Sequence, residues 1–127
     1  MVRENESSEE ESKPIVWIGS SLDVLREFSE EVKLEIGNAL EAMQWGREHS
    51  AVKILKGFGS ASVREVKADD SAGTYRTVFT VEFPEAIYVL HSFQKKSKSG
   101  KATPKEEIDR IHRRLEAARV DYEARYG

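Results

Sequence analysis

The sequence has no cysteine, only three histidines and three prolines, and no long apolar run among its 127 residues. Without cysteine the chain cannot form a disulfide, a thiolate nucleophile or a cysteine metal site, and this composition is compatible with a reducing compartment. No apolar stretch approaches the roughly 20 residues that cross a bilayer, and the first residues are polar and acidic, unlike those of a signal peptide. We therefore expect a cytoplasmic protein with no membrane segment.

What is present is enough apolar material for one folded domain. Hydrophobic residues make up 39% of the chain, and a chain of this length buries a single core. The net charge is −3, but residues 1–14 carry five glutamates against two basic residues, which leaves the remainder neutral with 18 residues of each sign. We predict a disordered acidic tail at residues 1–13 and a single domain at residues 14–127.

Hydrophobic patterns predict an α+β fold. A strand at residues 15–18 precedes two amphipathic helices between Ser20 and Gly46, and Ser20 and Asp23 have the spacing of a capping box. Three segments rich in β-branched and aromatic residues follow: 63–68, 74–83 and 86–93. The predicted architecture is a mainly antiparallel sheet of about four strands, with a helical hairpin on one face and a C-terminal helix after the last strand.

A lysine-rich stretch joins the last predicted strand to the C-terminal helix. It reads HSFQKKSKSGKATPKE at residues 91–106, and the helix is predicted to begin with Thr103 as N-cap, Pro104 in its first position and Glu106 completing a capping box. Lysine is common in exposed loops, so this stretch can be an ordinary solvated surface. Its position at a strand exit also suits the binding of a phosphate backbone.

Cations inside the predicted strands are the next candidates for phosphate binding. Arg76 and His91 occupy middle positions of neighbouring strands, and side chains alternate along a strand, so both could lie on the face without helices. Arg64 and Lys67 point to opposite faces, so at most one of them can join the pair. A guanidinium binds phosphate oxygens bidentately and a lysine supplies a point charge.

Each candidate also has a purely structural interpretation. Arg76 can pair with Glu65 or Glu82 across strands. His91 lies on a mostly apolar strand and can be a hydrogen-bonded packing residue. Both interpretations stay open at the level of sequence.

Other chemistries find little support in the sequence. The GFG segment at residues 57–59 lacks the rest of a phosphate-binding loop, and no segment resembles a nucleophile elbow. No group of histidines or carboxylates has convincing metal-ligand spacing, and the adjacent Asp69 and Asp70 are typical turn residues. We predict neither a metal site nor a cofactor.

Three segments together carry a family resemblance: LKGFG at 55–59, TYRTVFTVEF at 74–83 and IYVLHSFQKKSKSGKATPKEEI at 87–108. They resemble the phage-derived HigB-like branch of the RelE/ParE toxin superfamily. The resemblance implies a RelE-like fold and a toxin of a type II toxin-antitoxin pair, neutralised by a helix-turn-helix antitoxin. It also implies cleavage of mRNA in the ribosomal A site without a metal ion. The alternatives are a ParE-like inhibitor of DNA gyrase and an inactive, antitoxin-binding prophage remnant.

The resemblance also assigns roles to residues. The predicted catalytic residues are Arg76, Lys95, Lys96 and His91, and the predicted RNA-binding residues are Arg64, Lys67, Lys98 and Lys101. Arg76 is expected to hold the reacting phosphate, and one of the paired lysines to bind phosphate or protonate the leaving oxygen. The sequence also departs from the pattern: Glu65 stands where several RNA-cleaving relatives have a lysine, and no tyrosine follows Lys96 where some relatives stack a base.

Overall fold

The structure of the protein, a computed structural model, describes residues 12–59, 62–95 and 103–127. Most of the predicted acidic tail, residues 1–11, lies outside these ranges. The predicted site residues Lys96, Lys98 and Lys101 also lie outside them.

The described residues form one sheet of five strands: β1 (Ile15–Trp17), β2 (Val52–Ile54), β3 (Val63–Asp70), β4 (Gly73–Thr80) and β5 (Ile87–Lys95). The spatial order is β1-β5-β4-β3-β2. β1 runs parallel to β5, and the other neighbours are antiparallel. The predicted α+β class is confirmed, but the sheet is mixed and has one strand more than the expected four. The missing strand is β2, which has only three residues and so too little alternation to detect.

In the described ranges, three helices accompany the sheet: α1 (Ser21–Arg26), α2 (Glu30–Gln44) and α3 (Lys105–Tyr126). Ser29 caps α2 by accepting a hydrogen bond from the Val32 amide at 3.2 Å. The capping box predicted from Ser20 does not form, because that side chain makes no cap hydrogen bond. Pro104 takes the N-cap position of α3, one residue later than predicted, also without a side-chain cap.

The α1 and α2 helices cover one face of the sheet. Alternation along each strand sends every second side chain to this face. The helices contribute Leu25, Val32, Ile36, Leu40 and Met43 to its core, and the sheet contributes Val66, Tyr75, Phe79, Ile87 and Val89. This arrangement agrees with the prediction of an N-terminal helical layer on one face.

The α3 helix covers part of the opposite face, which the sequence had left without helices. Its buried residues Ile111, Leu115 and Ala118 pack on a second core. The strand residues of that core include Val63, Val78, Tyr88, Leu90 and Phe93. No helix of the described part of the chain is long and apolar enough to cross a membrane.

Candidate phosphate-binding site

Three strands bring a carboxylate and three cations to the face that α3 partly covers. Arg76 of β4 pairs in register with Lys67 of β3 and with Phe93 of β5. Glu65 and Lys95 lie two residues away from these partners on their own strands, so all four polar side chains point to the same face. We call Glu65, Lys67, Arg76 and Lys95 the Arg76 cluster.

The direction of α3 leaves the Arg76 cluster beyond the start of that helix. Glu107, in the first turn of α3, contacts His91, and Asp121 near the other end binds the Tyr88 hydroxyl at 2.7 Å. The helix therefore runs along β5 from His91 towards Tyr88. Lys95, at the opposite end of β5, lies past the N-terminus of α3.

Arg76 and Glu65 form an ion pair in this cluster. The Arg76 Nη1 atom donates to Glu65 Oε2 at 2.7 Å, and the two side chains are 10% and 13% exposed. This pairing agrees with the structural interpretation of Arg76. It is incomplete, however, because Arg76 Nε and Glu65 Oε1 are buried and have no hydrogen-bond partner among the described residues.

Lys95 adds a second buried cation. It is 9% exposed, and its Nζ atom is buried without a hydrogen-bond partner in the described ranges. Burial, and then the positive charges of Arg76 and Lys67, lower the pKa of Lys95, while Glu65 acts in the opposite direction. Lys67 is exposed at the rim. Three cations against one carboxylate make the Arg76 cluster a site of net positive charge with unused hydrogen-bond donors, as an anion requires.

His91 shares this face but belongs to a different group, the His91 network of His91, Glu107 and Arg114. Its Nε2 atom lies 2.5 Å from Glu107 Oε1, and its Nδ1 atom lies 3.1 Å from Arg114 Nη1. An arginine can only donate, so Nδ1 must accept and the proton of a neutral ring sits on Nε2, facing the carboxylate. Arg114 also donates to the Leu90 carbonyl at 3.0 Å and to Ser20 Oγ at 3.0 Å.

The His91 network leaves the imidazole without a free nitrogen. His91 is 3% exposed, and burial lowers its pKa, partly offset by Glu107. A general base needs an accessible lone pair. The geometry therefore favours a hydrogen-bonded packing residue over the catalytic role predicted for His91.

Arg64 is separated from the other predicted RNA-binding residues. It pairs with Phe79 on β4 and with Ile54 on β2, and Phe79 belongs to the core under α1 and α2. Arg64 therefore points to the opposite face from Arg76, and Lys67 is the one of the two that shares the face of Arg76. Arg64 is therefore not part of the Arg76 cluster, and its predicted role in RNA binding stays a prediction.

The described residues contain no group of three or more histidines, aspartates or glutamates that could hold a metal ion. Asp69 and Asp70 were predicted as turn residues, but they are the last two residues of β3 and border the turn to β4. Asp70 Oδ1 accepts hydrogen bonds from the Ala72 and Gly73 amides, and Asp69 accepts one from the Thr74 hydroxyl.

Glu65 is the member of the cluster that the predicted site did not include. In the sequence analysis, Glu65 was only a possible partner of Arg76 and a departure from a family pattern. Strand alternation could have identified Glu65, because Glu65 and Lys67 are two residues apart on one strand and their side chains must point to the same face.

Residues 23–116 match a family model described as "Phage derived protein Gp49-like". The chain belongs to this Gp49-like family. The matched segment contains all of the Arg76 cluster and most of the elements that position it. No curated protein is significantly similar to this Gp49-like chain in sequence.

The Gp49-like chain also resembles a solved structure, the free state of a double arginine-to-alanine mutant of the E. coli toxin RelE. The TM-score is 0.55 at 17% sequence identity, and the match covers 81% of this chain and 97% of the RelE chain. At this identity the likeness concerns the fold. The predicted RelE-like fold is confirmed.

Proposed function

We propose that this Gp49-like chain is the toxin of a toxin-antitoxin pair and cleaves mRNA without a metal ion. The observation that carries the proposal is the Arg76 cluster, where two buried cations and one carboxylate each keep a polar atom without a partner. The RelE-like fold and the resemblance to HigB-like toxins support the same conclusion.

The Arg76 cluster contains a group for each step of metal-free RNA cleavage. Glu65, through its unpartnered Oε1, takes the proton of the 2′-hydroxyl, and the resulting oxygen attacks the adjacent phosphorus. Arg76 stabilises the pentacoordinate phosphate, which carries two negative charges. The bond from phosphorus to the 5′-oxygen then breaks, and Lys95 protonates that oxygen. The products are a 2′,3′-cyclic phosphate and a 5′-hydroxyl.

The environment of Lys95 suits its role as proton donor. An unperturbed ammonium is a weak acid near neutrality, and burial beside Arg76 and Lys67 lowers its pKa towards the working range. Lys67, exposed at the rim, binds a neighbouring phosphate. The proposal keeps Lys96 as a second basic residue of the reaction and Lys98 and Lys101 as RNA-binding residues.

Binding partners follow from the same proposal. The substrate is mRNA in the ribosomal A site, and a helix-turn-helix antitoxin neutralises the protein in the cytoplasm. An acidic segment of that antitoxin would use the same cations as a phosphate backbone. Inhibition by the antitoxin and catalysis therefore depend on a common set of charges.

The test is a map of new mRNA 5′ ends shortly after the protein is induced without an antitoxin. We expect cuts in phase with translated codons, and the loss of these cuts in Arg76→Ala at equal soluble expression. Arg26→Ala is the matched control, because Arg26 is an exposed arginine of α1 on the other side of the sheet.

The outcomes separate the candidate functions. Cuts that persist in Arg76→Ala would exclude the Arg76 cluster as the active site. Intact mRNA with DNA breaks would indicate gyrase inhibition instead. Intact mRNA in healthy cells would indicate an inactive remnant that binds an antitoxin.

A further inference from the structure

A further cation lies on the face of the Arg76 cluster, on the edge strand β2. Lys53 pairs in register with Glu65 across β2 and β3. Side chains of paired residues point to the same face of a sheet, so Lys53 shares the face of Glu65 and Arg76. Lys53 was not among the predicted site residues, although paired residues of this kind have Cβ atoms only about 5 Å apart.

The ammonium group of Lys53 is not used by the rest of the described chain. Lys53 is exposed, and the ion pairs within residues 12–59, 62–95 and 103–127 do not include it. Its cross-strand neighbour Glu65 is bound instead to Arg76, through Oε2 at 2.7 Å. A purely structural cross-strand pair would place the Lys53 ammonium on that carboxylate. Its charge is therefore available to a ligand.

Four polar side chains form a diagonal line across this face, one on each of four neighbouring strands: Lys53 on β2, Glu65 on β3, Arg76 on β4 and Lys95 on β5. Lys53 and Glu65 are level, Arg76 lies two residues further along the strands, and Lys95 lies two residues beyond Arg76. Three strand spacings of about 4.8 Å make the line about 14 Å wide. β2 is the edge strand of the described sheet, so the line is open at its Lys53 end.

The proposed reaction gives this line a direction. Glu65 takes the proton of the 2′-hydroxyl, which belongs to the nucleotide on the 5′ side of the reacting phosphate. Lys95 protonates the 5′-oxygen, which belongs to the nucleotide on the 3′ side. Arg76 lies on the strand between them, as expected when the attacking and leaving oxygens are in line. RNA on the 5′ side of the cut therefore lies over β3 and β2, and RNA on the 3′ side lies over β5.

We propose that Lys53 binds the phosphate one nucleotide to the 5′ side of the cut, in a single RNA strand that crosses the sheet from β2 to β5. The inference rests on the proposed function, because the polarity of the strand follows from the roles of Glu65 and Lys95. A lysine has a flexible stem and a compact charge, which suit a phosphodiester at an open edge. Lys53 does not touch the reacting atoms. It holds the 5′ part of the substrate in place, as phosphate contacts do in nucleic-acid complexes.

The test is single-turnover cleavage of a defined mRNA on programmed ribosomes. The cut is first mapped on the unmodified mRNA. One linkage is then replaced by a neutral methylphosphonate, either one nucleotide to the 5′ side of the cut or one nucleotide to the 3′ side. Each mRNA is cleaved by the native protein, Lys53→Ala, Lys53→Arg and Lys33→Ala. Lys33→Ala is the matched control, because Lys33 lies on α2 at the other face of the sheet.

We expect the neutral 5′ linkage to slow the native protein by about tenfold, and Lys53→Ala to lose about the same factor on unmodified mRNA. The neutral 5′ linkage should then cause no further loss in Lys53→Ala, because both changes remove the same contact. Lys53→Arg and Lys33→Ala should respond to this linkage as the native protein does. The neutral 3′ linkage should affect the native protein and Lys53→Ala equally. Contacts of the ribosome with a linkage are common to all four proteins and cancel in the comparison.

The outcomes separate this inference from the proposed function. The inference is overturned if the neutral 5′ linkage slows Lys53→Ala as much as it slows the native protein. It is also overturned if the 3′ linkage, and not the 5′ linkage, loses its effect in Lys53→Ala, because the strand would then run in the opposite direction. Both results would leave the proposed cleavage intact. A native protein that does not cut the ribosome-bound mRNA would overturn the proposed function and this inference together.

Discussion

Two polar groups on the same face of the sheet differ in how completely their hydrogen bonds are satisfied. In the His91 network both ring nitrogens have partners, and Arg114 joins them to the Leu90 carbonyl and to Ser20. In the Arg76 cluster three buried atoms, Glu65 Oε1, Arg76 Nε and Lys95 Nζ, have no partner among the described residues. The His91 network therefore has the features of a structural hydrogen-bond network, whereas the Arg76 cluster has the features of a ligand-binding site.

The energetic meaning of this difference is simple. A buried polar atom without a partner costs roughly 1–3 kcal/mol, so three of them in one place lower the stability of the fold. Functional sites commonly retain such groups at the expense of stability. The four predictions below exploit the contrast, because variants in the two groups should change different properties.

The largest effect is expected for Lys95→Met in the Arg76 cluster. Methionine has a similar length and no charge, so RNA cleavage should fall by about 100-fold or more when the proton donor is lost. The free energy of unfolding should rise by about 1 kcal/mol, because a buried ammonium without a partner is removed. Single-turnover cleavage and urea unfolding measure the two changes. Lys33→Met, on α2, should change neither by a comparable amount, and a less stable, fully active Lys95→Met protein would contradict the role of Lys95.

The next effect is expected for Arg114→Ala in the His91 network. The change leaves the Leu90 carbonyl, His91 Nδ1 and Ser20 Oγ without their donor. We expect the free energy of unfolding to fall by about 2–3 kcal/mol in urea titrations. Arg113→Ala, at the exposed neighbouring position, should stay within about 0.5 kcal/mol of the native protein. An equal loss of unfolding free energy in Arg113→Ala and Arg114→Ala would contradict a stabilising role for the His91 network.

A pH dependence should come from the same network. Burial lowers the pKa of His91 in the folded protein, so the unfolded chain binds the proton more readily. Stability should be complete above the unfolded pKa of about 6.5 and should fall as the pH decreases below it, by at most about 1.4 kcal/mol per pH unit. Urea titrations at several pH values, with His91→Gln for comparison, measure the slope. A native slope no steeper than that of His91→Gln would show that the ring does not titrate in this way.

The smallest effect is expected for Lys67→Ala at the exposed rim of the Arg76 cluster. Lys67 supplies one phosphate contact in the proposed function, so RNA binding should weaken by about tenfold at low salt. The slope of log affinity against log salt should become shallower by about one contact. Stability should not change, because the side chain is exposed. A steeper or unchanged salt slope would place the bound RNA away from Lys67.

Much of the fold could be predicted from periodicity, and the misses have physical causes. β3, β4 and β5 carry clear alternation and aromatic or β-branched residues, so they were found close to their observed bounds. β2 has three residues and was missed. The packing of α3 on the sheet face opposite to α1 and α2 could not be predicted from its amphipathic pattern. Such a pattern shows that one side of a helix is buried, but it does not identify the element that the helix packs against.

Several residues of the candidate site could be predicted from the sequence, but the contacts that those residues make could not. Parity along β3 separated Arg64 from Lys67, and Arg76 was correctly identified as a mid-strand cation. His91 was expected among catalytic residues because its ordinary pKa suits proton transfer. Its burial under α3 depends on Glu107 and Arg114, which are distant in sequence and join it only in the folded chain.

The parallel pairing of Ile15 with Ile87 has a consequence for synthesis of the chain. β1 cannot pair until β5 has been synthesised, and the hydrogen bond from Arg114 to Ser20 forms later still. Sheets closed by such distant partners fold late and slowly. We therefore expect β1 to join the sheet late in folding, after the hairpins of β3, β4 and β5 have brought the Arg76 cluster together.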